Sequence, residues 1–186
     1  MGSEMCIRDR RGSTACDLLY AATKEEYTYS PENEPHISLN FTHRLAKVIL
    51  KFVNMEKEPL EVSDVRIEGM QTAASFNIQT DVLTVDESSV ATINPYHNAT
   101  TGFYEAIILP SALTDSYKVS FVLDDREKEW IFTNLDIALP QFHKGYSYTF
   151  ALYIDDSGFV EMGRLENVEG GNSSAPVSYT HLRAHE

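Results

Sequence analysis

Apolar and polar residues alternate along much of this chain, which is the pattern of β-strands with one buried face. The clearest run covers residues 146–154, with apolar side chains at every second position: Tyr146, Tyr148, Phe150, Leu152 and Ile154. We therefore predict that Tyr148, Phe150 and Leu152 are buried. Ser147 and Thr149 should point to the opposite side of the strand.

Shorter runs of the same kind are separated by turn signals. Residues 117–123 alternate, and Trp130 and Phe132 follow soon after Asp124-Asp125, so these two runs are predicted to form a hairpin. The mostly apolar run 103–109 is typical of a strand covered on both faces. Since no ten-residue segment has apolar residues at helical spacing, the sequence predicts an all-β fold, an antiparallel β-sandwich.

The segment 37–52 contains a change of phase. Apolar residues stand at odd positions from 37 to 41 and at even positions from 48 to 52. Each half is the pattern of a strand, and a slip of one residue between them moves the apolar side chains to the other face. The sequence therefore predicts two strands with a bulge or tight bend across residues 42–47.

Four segments resemble, in order and spacing, motifs of the fimbrillin (Mfa-like) family. They read DLLYA at 17–21, FTHRLAKV at 41–48, YEAIILP at 104–110 and HKGYSYTF at 143–150. The positions singled out by the resemblance are Asp17, Leu18, Leu19, Tyr20, Ala21, Phe41, His43, Leu45, Ala46, Lys47, Val48, Pro110, Gly145, Tyr146 and Tyr148. The chain departs from the family pattern in having Lys144 before Gly145 and no Trp after its last strand.

Members of that family are surface lipoproteins and pilus subunits of Gram-negative anaerobes. The resemblance implies two transthyretin-like β-sandwiches in tandem, of which this chain would carry the second. It implies a structural role in a pilus or adhesin subunit at the cell surface, in the outer membrane or fimbrium. Other pilus subunits would then be partners by β-strand addition, through main-chain hydrogen bonds. The resemblance also allows a host or bacterial surface receptor as a partner.

Both ends of the chain resemble translated sequencing adapter, because residues 5–10 and 176–181 can be read from opposite strands of one DNA segment. We therefore expect residues 1–10 and 177–186 to be tails that are not native and make few core contacts. Residues 11–35 would be the end of a preceding domain or a linker. The sandwich would cover 36–165, followed by a flexible tail at 166–176. The chain would then be a gene fragment that lacks its signal peptide.

The amino-acid composition limits the classes of partner expected for this protein. The chain has 28 Asp and Glu residues against 15 Lys and Arg, which gives a formal net charge of −13. Binding of nucleic acid needs clusters of Lys and Arg against phosphates, so nucleic acid is not an expected partner. With Cys6 in the predicted tail, Cys16 stands alone, and neither an intrachain disulfide nor a cysteine-rich metal site is expected.

No motif for catalysis or for cofactor binding is found in the sequence. Four histidines lie outside the predicted tails, without metal-binding spacing: His36, His43, His97 and His143. We predict that the His43 ring bonds a backbone group at the strand bend. Asp124-Asp125 and Asp155-Asp156 could attract Ca²⁺, but paired Asp residues are common in hairpin turns. The sequence therefore predicts no enzyme, no cofactor and no metal site.

A second interpretation of the fold is a surface glycan-binding β-sandwich module. Trp130 and Tyr104 could form a platform on which sugars stack, although aromatic residues on alternating strands more often belong to the core. The two interpretations differ in where the aromatic side chains lie. Aromatics along an exposed groove would favour glycan binding, and aromatics between the sheets would favour a structural subunit.

Overall fold

The computed structural model describes residues 3–6, 17–22, 39–55, 60–135, 139–155 and 160–170. Within these ranges every regular element is a β-strand, which confirms the all-β prediction, and none is a helix able to cross a membrane. The strands are β1 (Ser3–Cys6), β2 (Leu19–Tyr20), β3 (Thr42–His43), β4 (Ala46–Asn54), β5 (Val62–Glu68), β6 (Ala73–Asn77), β7 (Val82–Val85), β8 (Tyr96–Asn98), β9 (Phe103–Ile108), β10 (Lys118–Leu123), β11 (Arg126–Ile131), β12 (Tyr146–Ile154) and β13 (Val160–Gly170).

Two sheets enclose the largest hydrophobic core. One has five strands in the order β13-β12-β4-β9-β8, and the other has three in the order β11-β10-β5. Their buried side chains belong to a single cluster, which we call the main core; it includes Val48, Leu50, Ile67, Ile108, Val119, Phe121, Phe132, Phe150 and Leu152. The arrangement is a β-sandwich, and its transthyretin-like character stays a prediction.

Strand β12 supplies the centre of this core. Tyr148 is 1% exposed, and Phe150 and Leu152 are fully buried, as the alternation predicts. Ser147 and Thr149 are half-buried on the other side of the strand. The alternation predicts this face because Tyr148, Phe150, Leu152 and Ile154 all lie in the main core, and only Tyr146 at the start of the strand is exposed.

Strands β10 and β11 form the predicted hairpin, with Leu123 paired to Arg126. Asp124 and Asp125 make the two-residue turn, with φ values of +50° and +58°. Positive φ at both central residues is typical of a type I′ turn, whose twist matches that of the flanking strands. Asp accepts this conformation more readily than most side chains do. The hairpin interpretation of this Asp pair is thus confirmed.

The strand pairs are mainly antiparallel, as predicted, and one pair is an exception. β4 and β12 are parallel, from Lys47 opposite Ser147 to Asn54 opposite Ile154, whereas the other described strand pairs are antiparallel. A parallel pair needs a long connection, and here the chain enters the opposing sheet twice between the two strands, first at β5 and then at β10 and β11. Local alternation predicts each strand but does not reveal such a distant neighbour.

The prediction for segment 37–52 is only partly right. The strand predicted over residues 37–41 is wrong for 39–41, which have no regular structure, and residues 37 and 38 lie outside the described part. A strand is present only at Thr42–His43, where it pairs with β2 rather than extending the large sheet. The predicted bend is present at Leu45, and β4 begins at the next residue.

A second, smaller cluster lies on the other side of β9. A three-stranded sheet in the order β1-β6-β7 covers it. We call it the second cluster; its buried members are Leu45, Ala74 and Leu109, with Leu18, Leu83, Val85 and Ile107 packed around them. Ile108 points into the main core and Ile107 into the second cluster, so β9 is covered on both faces, as predicted.

The predicted tails at the two ends of the chain contain strands. Ser3–Cys6, within the segment predicted to be adapter-derived, forms β1 and pairs with β6. β13 continues to Gly170, so residues 166–170 of the predicted flexible tail belong to the last strand of the large sheet. The other residues of the predicted tails lie outside the described part. The domain boundaries themselves stay predictions.

Candidate functional site: the motif junction

The family-like segments meet around the bend that precedes β4. Leu19 and Tyr20 of segment 17–21 pair with His43 and Thr42, and the Arg44 amide donates to the Leu18 carbonyl at 2.8 Å. We call this region the motif junction. It consists of residues 17–21, 41–48 and 145 and the contacts that they make. The first two motifs are thus joined by backbone hydrogen bonds across a stretch of chain that separates them in sequence.

A pair of side chains repeats this connection. The carboxylate Oδ2 of Asp17 forms a hydrogen bond with Nδ1 of His43. The prediction that His43 bonds a backbone group is therefore wrong, because its partner is the side chain of Asp17. The His43 side chain is 41% exposed and that of Asp17 is 20% exposed. At such exposure a polar side-chain contact contributes little to stability, and this one serves mainly to fix the two segments in register.

Tyr20 connects the junction to the hairpin of β6 and β7. Its hydroxyl donates to the Ile78 carbonyl at 2.9 Å. Its ring meets that of Phe76 edge to face, with centroids 5.2 Å apart, and the Arg44 guanidinium lies over it at 5.1 Å. An aromatic ring between a cation and a second ring gains from both contacts.

Arg44 also reaches the turn between β6 and β7. One of its terminal nitrogens donates to Oδ2 of Asp81 at 2.8 Å, and Nε approaches Oδ1 at 2.6 Å outside hydrogen-bond geometry. Asp81 has a φ of +55°, and Nζ of Lys144 lies 4.0 Å from its Oδ2. Sequence reasoning missed this ion pair. The Asp at the hairpin turn between β6 and β7 is a signal that could have indicated one partner of this ion pair. Its other partner, Arg44, is distant in sequence.

Gly145 brings the fourth motif to the junction. Its amide donates to the Leu45 carbonyl at 2.8 Å, and its φ is +76°. A Cβ at this position would lie 3.3 Å from the His43 carbonyl oxygen. Both the backbone conformation and the close approach favour glycine. The departure from the family order, with Lys144 before Gly145, also places a cation near Asp81.

Lys47 joins β4 to β9 on the face away from the main core. Its Nζ lies 2.6 Å from a carboxylate oxygen of Glu105, and the Asn98 amide donates to the other at 3.0 Å. Burial disfavours the charge of Glu105, but Lys47 and Asn98 outweigh it and hold the pKa of this carboxyl below its usual range. The second and third motifs therefore share a cross-strand ion pair.

The side chains at the remaining motif positions have packing roles. Ala46 and Val48 lie in the main core with Tyr148. The Tyr148 hydroxyl accepts from the His143 amide at 2.8 Å, and burial raises the pKa of this tyrosine. Half-buried positions are Ala21, Phe41 and Pro110, whereas Leu19 and Tyr146 are exposed.

The aromatic platform proposed for sugar stacking does not form. Trp130 is only 5% exposed and lies between the sheets, so close to Gly163 that a Cβ there would be 2.1 Å from the indole ring. Tyr104 is half-buried, and its hydroxyl donates to the Val62 carbonyl at 2.7 Å. The core interpretation of these two residues is confirmed. In the described ranges no group of three or more His, Cys, Asp or Glu side chains is arranged to hold a metal ion.

Two solved structures share this fold. One is a candidate cell adhesion protein from Bacteroides uniformis, with 22% identity and a TM-score of 0.74, matching 91% of this chain. The other, a candidate cell adhesion protein from Bacteroides ovatus, has 16% identity and a TM-score of 0.55, matching 71% of this chain. This chain spans 65% of the first protein and 47% of the second. No curated protein matches it.

A family model described as fimbrillin-like matches residues 8–173. The matched range contains the whole motif junction, both sheets of the sandwich and the hairpin of β6 and β7. Strand β1 (Ser3–Cys6) lies before it. Because the match covers most of the sequence, this chain belongs to the fimbrillin-like family.

Proposed function

We propose that this chain is part of a pilus or adhesin subunit at the bacterial cell surface, and that its role is structural. The subunit assembles with others by β-strand addition and has no turnover of its own. Main-chain hydrogen bonds to a sheet edge supply the affinity, and side chains at alternate positions supply the register. The family assignment and the fold of the two adhesion-protein neighbours support a role of this general kind.

The observation that carries the proposal is what the family-like motif residues do. Asp17, His43 and Gly145 hold segments together through a side-chain hydrogen bond and a backbone contact. Ala46 and Val48 fill the core. Catalytic sites instead bring an acid, a base and a nucleophile together in a cleft. A structural subunit needs residues that join its segments and residues that fill its core, and the motif residues do both.

The test uses the complete mature protein, in which the parts of the subunit beyond this chain are present. Treating it with the surface proteases of its native host should yield polymers that resist mild detergent. The matched control is the same protein without protease. A protein that stays monomeric after cleavage but binds a defined glycan at micromolar concentration would contradict the proposal and favour a glycan-binding module.

A further inference from the structure

A cleft of about 420 Å³ lies on the outer face of the three-stranded sheet, and we call it the β10 cleft. It follows the central strand β10, with β5 on one side and β11 on the other. Small-ligand sites have volumes of about 300–1,000 Å³. Every side chain that lines this cleft is polar or charged, so it differs from the usual apolar pocket.

The floor of the β10 cleft is a buried serine. Val119 and Phe121 point into the main core, so Ser120 between them points to the outer face. Outward positions of a sandwich are normally exposed, yet Ser120 is only 3% exposed. The ion pair between Arg66 of β5 and Glu127 of β11 crosses over β10 and helps to cover it. Among the described residues the Ser120 hydroxyl has no hydrogen-bond partner.

A second polar group at the cleft is also unpaired. Nε of Arg66, which lies opposite Ser120 in the ladder, is buried and has no hydrogen-bond partner in the part of the chain that the structure describes. Polar groups of this kind are normally paired with protein, water or a ligand. The Glu127 side chain is 65% exposed, so its ion pair with Arg66 is weak and open to exchange. A small rotation of the guanidinium would then turn Nε toward a ligand in the cleft.

The charges around the β10 cleft cancel, although the whole chain has a formal net charge of −13. Three cations and three carboxylates line it: Arg66, Lys118 and Lys128 against Glu68, Glu127 and Glu129. The Lys118 ammonium lies 2.9 Å from a carboxylate oxygen of Glu129 and 3.6 Å from one of Glu68. An ionic ligand of either sign would therefore meet like charges and compete with ion pairs that already exist.

We propose that the β10 cleft binds an uncharged saccharide. A sugar hydroxyl, like that of serine, both donates and accepts hydrogen bonds. The Ser120 hydroxyl, Nε of Arg66 and the Lys118 ammonium supply donors, and the carboxylates of β11 supply acceptors. An apolar ligand would find no apolar side chain in the lining and would strip water from charged groups. This inference goes beyond the proposed function, because the cleft lies on a single chain and needs no assembly.

The affinity of the β10 cleft for one saccharide should be low. No aromatic side chain lines it, so stacking on a ring does not contribute. Hydrogen bonds to a sugar replace hydrogen bonds to water, and the net gain from each is small. We therefore expect a Kd on the order of 1 mM for a disaccharide.

The experiment is a titration of the isotope-labelled full chain, followed through its amide NMR signals. The probes are the neutral disaccharides cellobiose, lactose, maltose and mannobiose. Digalacturonic acid is the anionic counterpart, and the deacetylated chitosan dimer is the cationic one. The variants are Ser120→Ala, which removes the hydroxyl, and Arg66→Lys, which removes Nε and keeps the charge. The matched control is Ser75→Ala, at an exposed strand position in another sheet.

The expected result is that at least one neutral disaccharide shifts the amides of Arg66, Ser120 and Glu129, whereas the amides of β12 do not move. Ser120→Ala and Arg66→Lys should each weaken this binding by about fivefold or more, because each removes one hydrogen bond to the sugar. Ser75→Ala should bind as the wild-type chain does. The amide spectrum of each variant also reports whether its fold is retained.

Several results would overturn the site. They are the absence of shifts with every neutral disaccharide, shifts confined to another surface, and tighter binding of either charged counterpart. Binding that both cleft variants leave unchanged would overturn it as well. Polymers of the mature protein without disaccharide binding would overturn the cleft and uphold assembly. Disaccharide binding by a mature protein that never polymerises would uphold the cleft and contradict the role in assembly.

Discussion

The main core and the second cluster are built in different ways, although they share β9. Among the residues that the structure describes, 19 buried side chains lie in the main core and three in the second cluster. The main core is enclosed by two sheets whose strands all lie in the matched range, whereas the second cluster is covered by a short sheet whose strand β1 precedes that range. The first region should therefore hold the fold together, and the second should open separately and at lower cost.

The motif residues are concentrated where these two regions meet. Asp17 forms a hydrogen bond with His43, Arg44 and Lys47 form ion pairs, and Gly145 contributes a backbone contact. Such contacts add little stability individually when they are exposed, but they are directional. The comparison teaches that hydrophobic burial stabilises the sandwich, while polar contacts at the junction fix the position of the smaller sheet on it.

The largest expected effect is in the main core. Phe150 is fully buried, and its ring packs edge to face on Phe132 with centroids 5.2 Å apart. Phe150→Ala should lower the free energy of unfolding by about 3–5 kcal/mol, because it removes buried area and leaves a cavity. Urea denaturation measures this value. The control is Tyr146→Ala at the exposed end of the same strand, and equal losses for both variants would contradict the assignment of the core.

A smaller and more local effect is expected in the second cluster. Leu109 is 2% exposed but lies among mostly half-buried neighbours, so Leu109→Ala should cost about 2 kcal/mol, at the low end for such changes. Hydrogen exchange should accelerate in β6 and β7 more than in β12. The control is Leu19→Ala, since Leu19 is 50% exposed. Equal acceleration in β12 would show that the two regions unfold as one unit.

The same contrast explains what the sequence could predict. β12 and the hairpin of β10 and β11 were predicted because their alternation is long and their turn is local. The strand over residues 39–41 was wrong because alternation reports which side chains face a core and not whether a partner strand is available. At Thr42–His43 the available partner is β2, which only the folded chain reveals.

The junction was predicted as a set of motif positions but not as a set of contacts. Resemblance singled out Asp17 and His43, yet their pairing joins residues 26 positions apart. Arg44 and Asp81 are 37 positions apart, and Asp81 lay in a turn with no motif. Spacing rules of helices and hairpins act over a few residues. Contacts of this range depend on the topology of the sheets, which sequence alone did not provide.

The third prediction tests the backbone contact at the junction with a matched pair of glycines. Gly145 and Gly102 have similar φ values, +76° and +73°, but only at Gly145 does an added Cβ meet another atom, the His43 carbonyl. Alanine in the left-handed region costs about 1–2 kcal/mol at either site. Gly145→Ala should therefore destabilise the protein more than Gly102→Ala does in urea denaturation. Equal values would mean that the junction yields to the added methyl group without cost.

The smallest effect concerns pH and the ion pair that joins β4 to β9. The pKa of Glu105 is lowered on folding from its ordinary value of 4.5, because Lys47 and Asn98 outweigh the cost of burial. A carboxyl whose folded pKa is depressed contributes stability above its unfolded pKa and loses it as the pH falls through the folded pKa. The contribution should therefore be complete above about pH 5 and fade below pH 4.5.

Lys47→Met tests this dependence while keeping the aliphatic part of the side chain. Because the Lys47 side chain is 37% exposed, solvent screening limits the loss at neutral pH to about 1 kcal/mol or less. The variant and the wild-type chain should approach equal stability as the pH falls below 4.5, since protonation of Glu105 removes the same interaction. The measurement is urea denaturation at several pH values between neutral and acid. A difference that stays constant across that range would show that Lys47 acts through packing and not through the charge of Glu105.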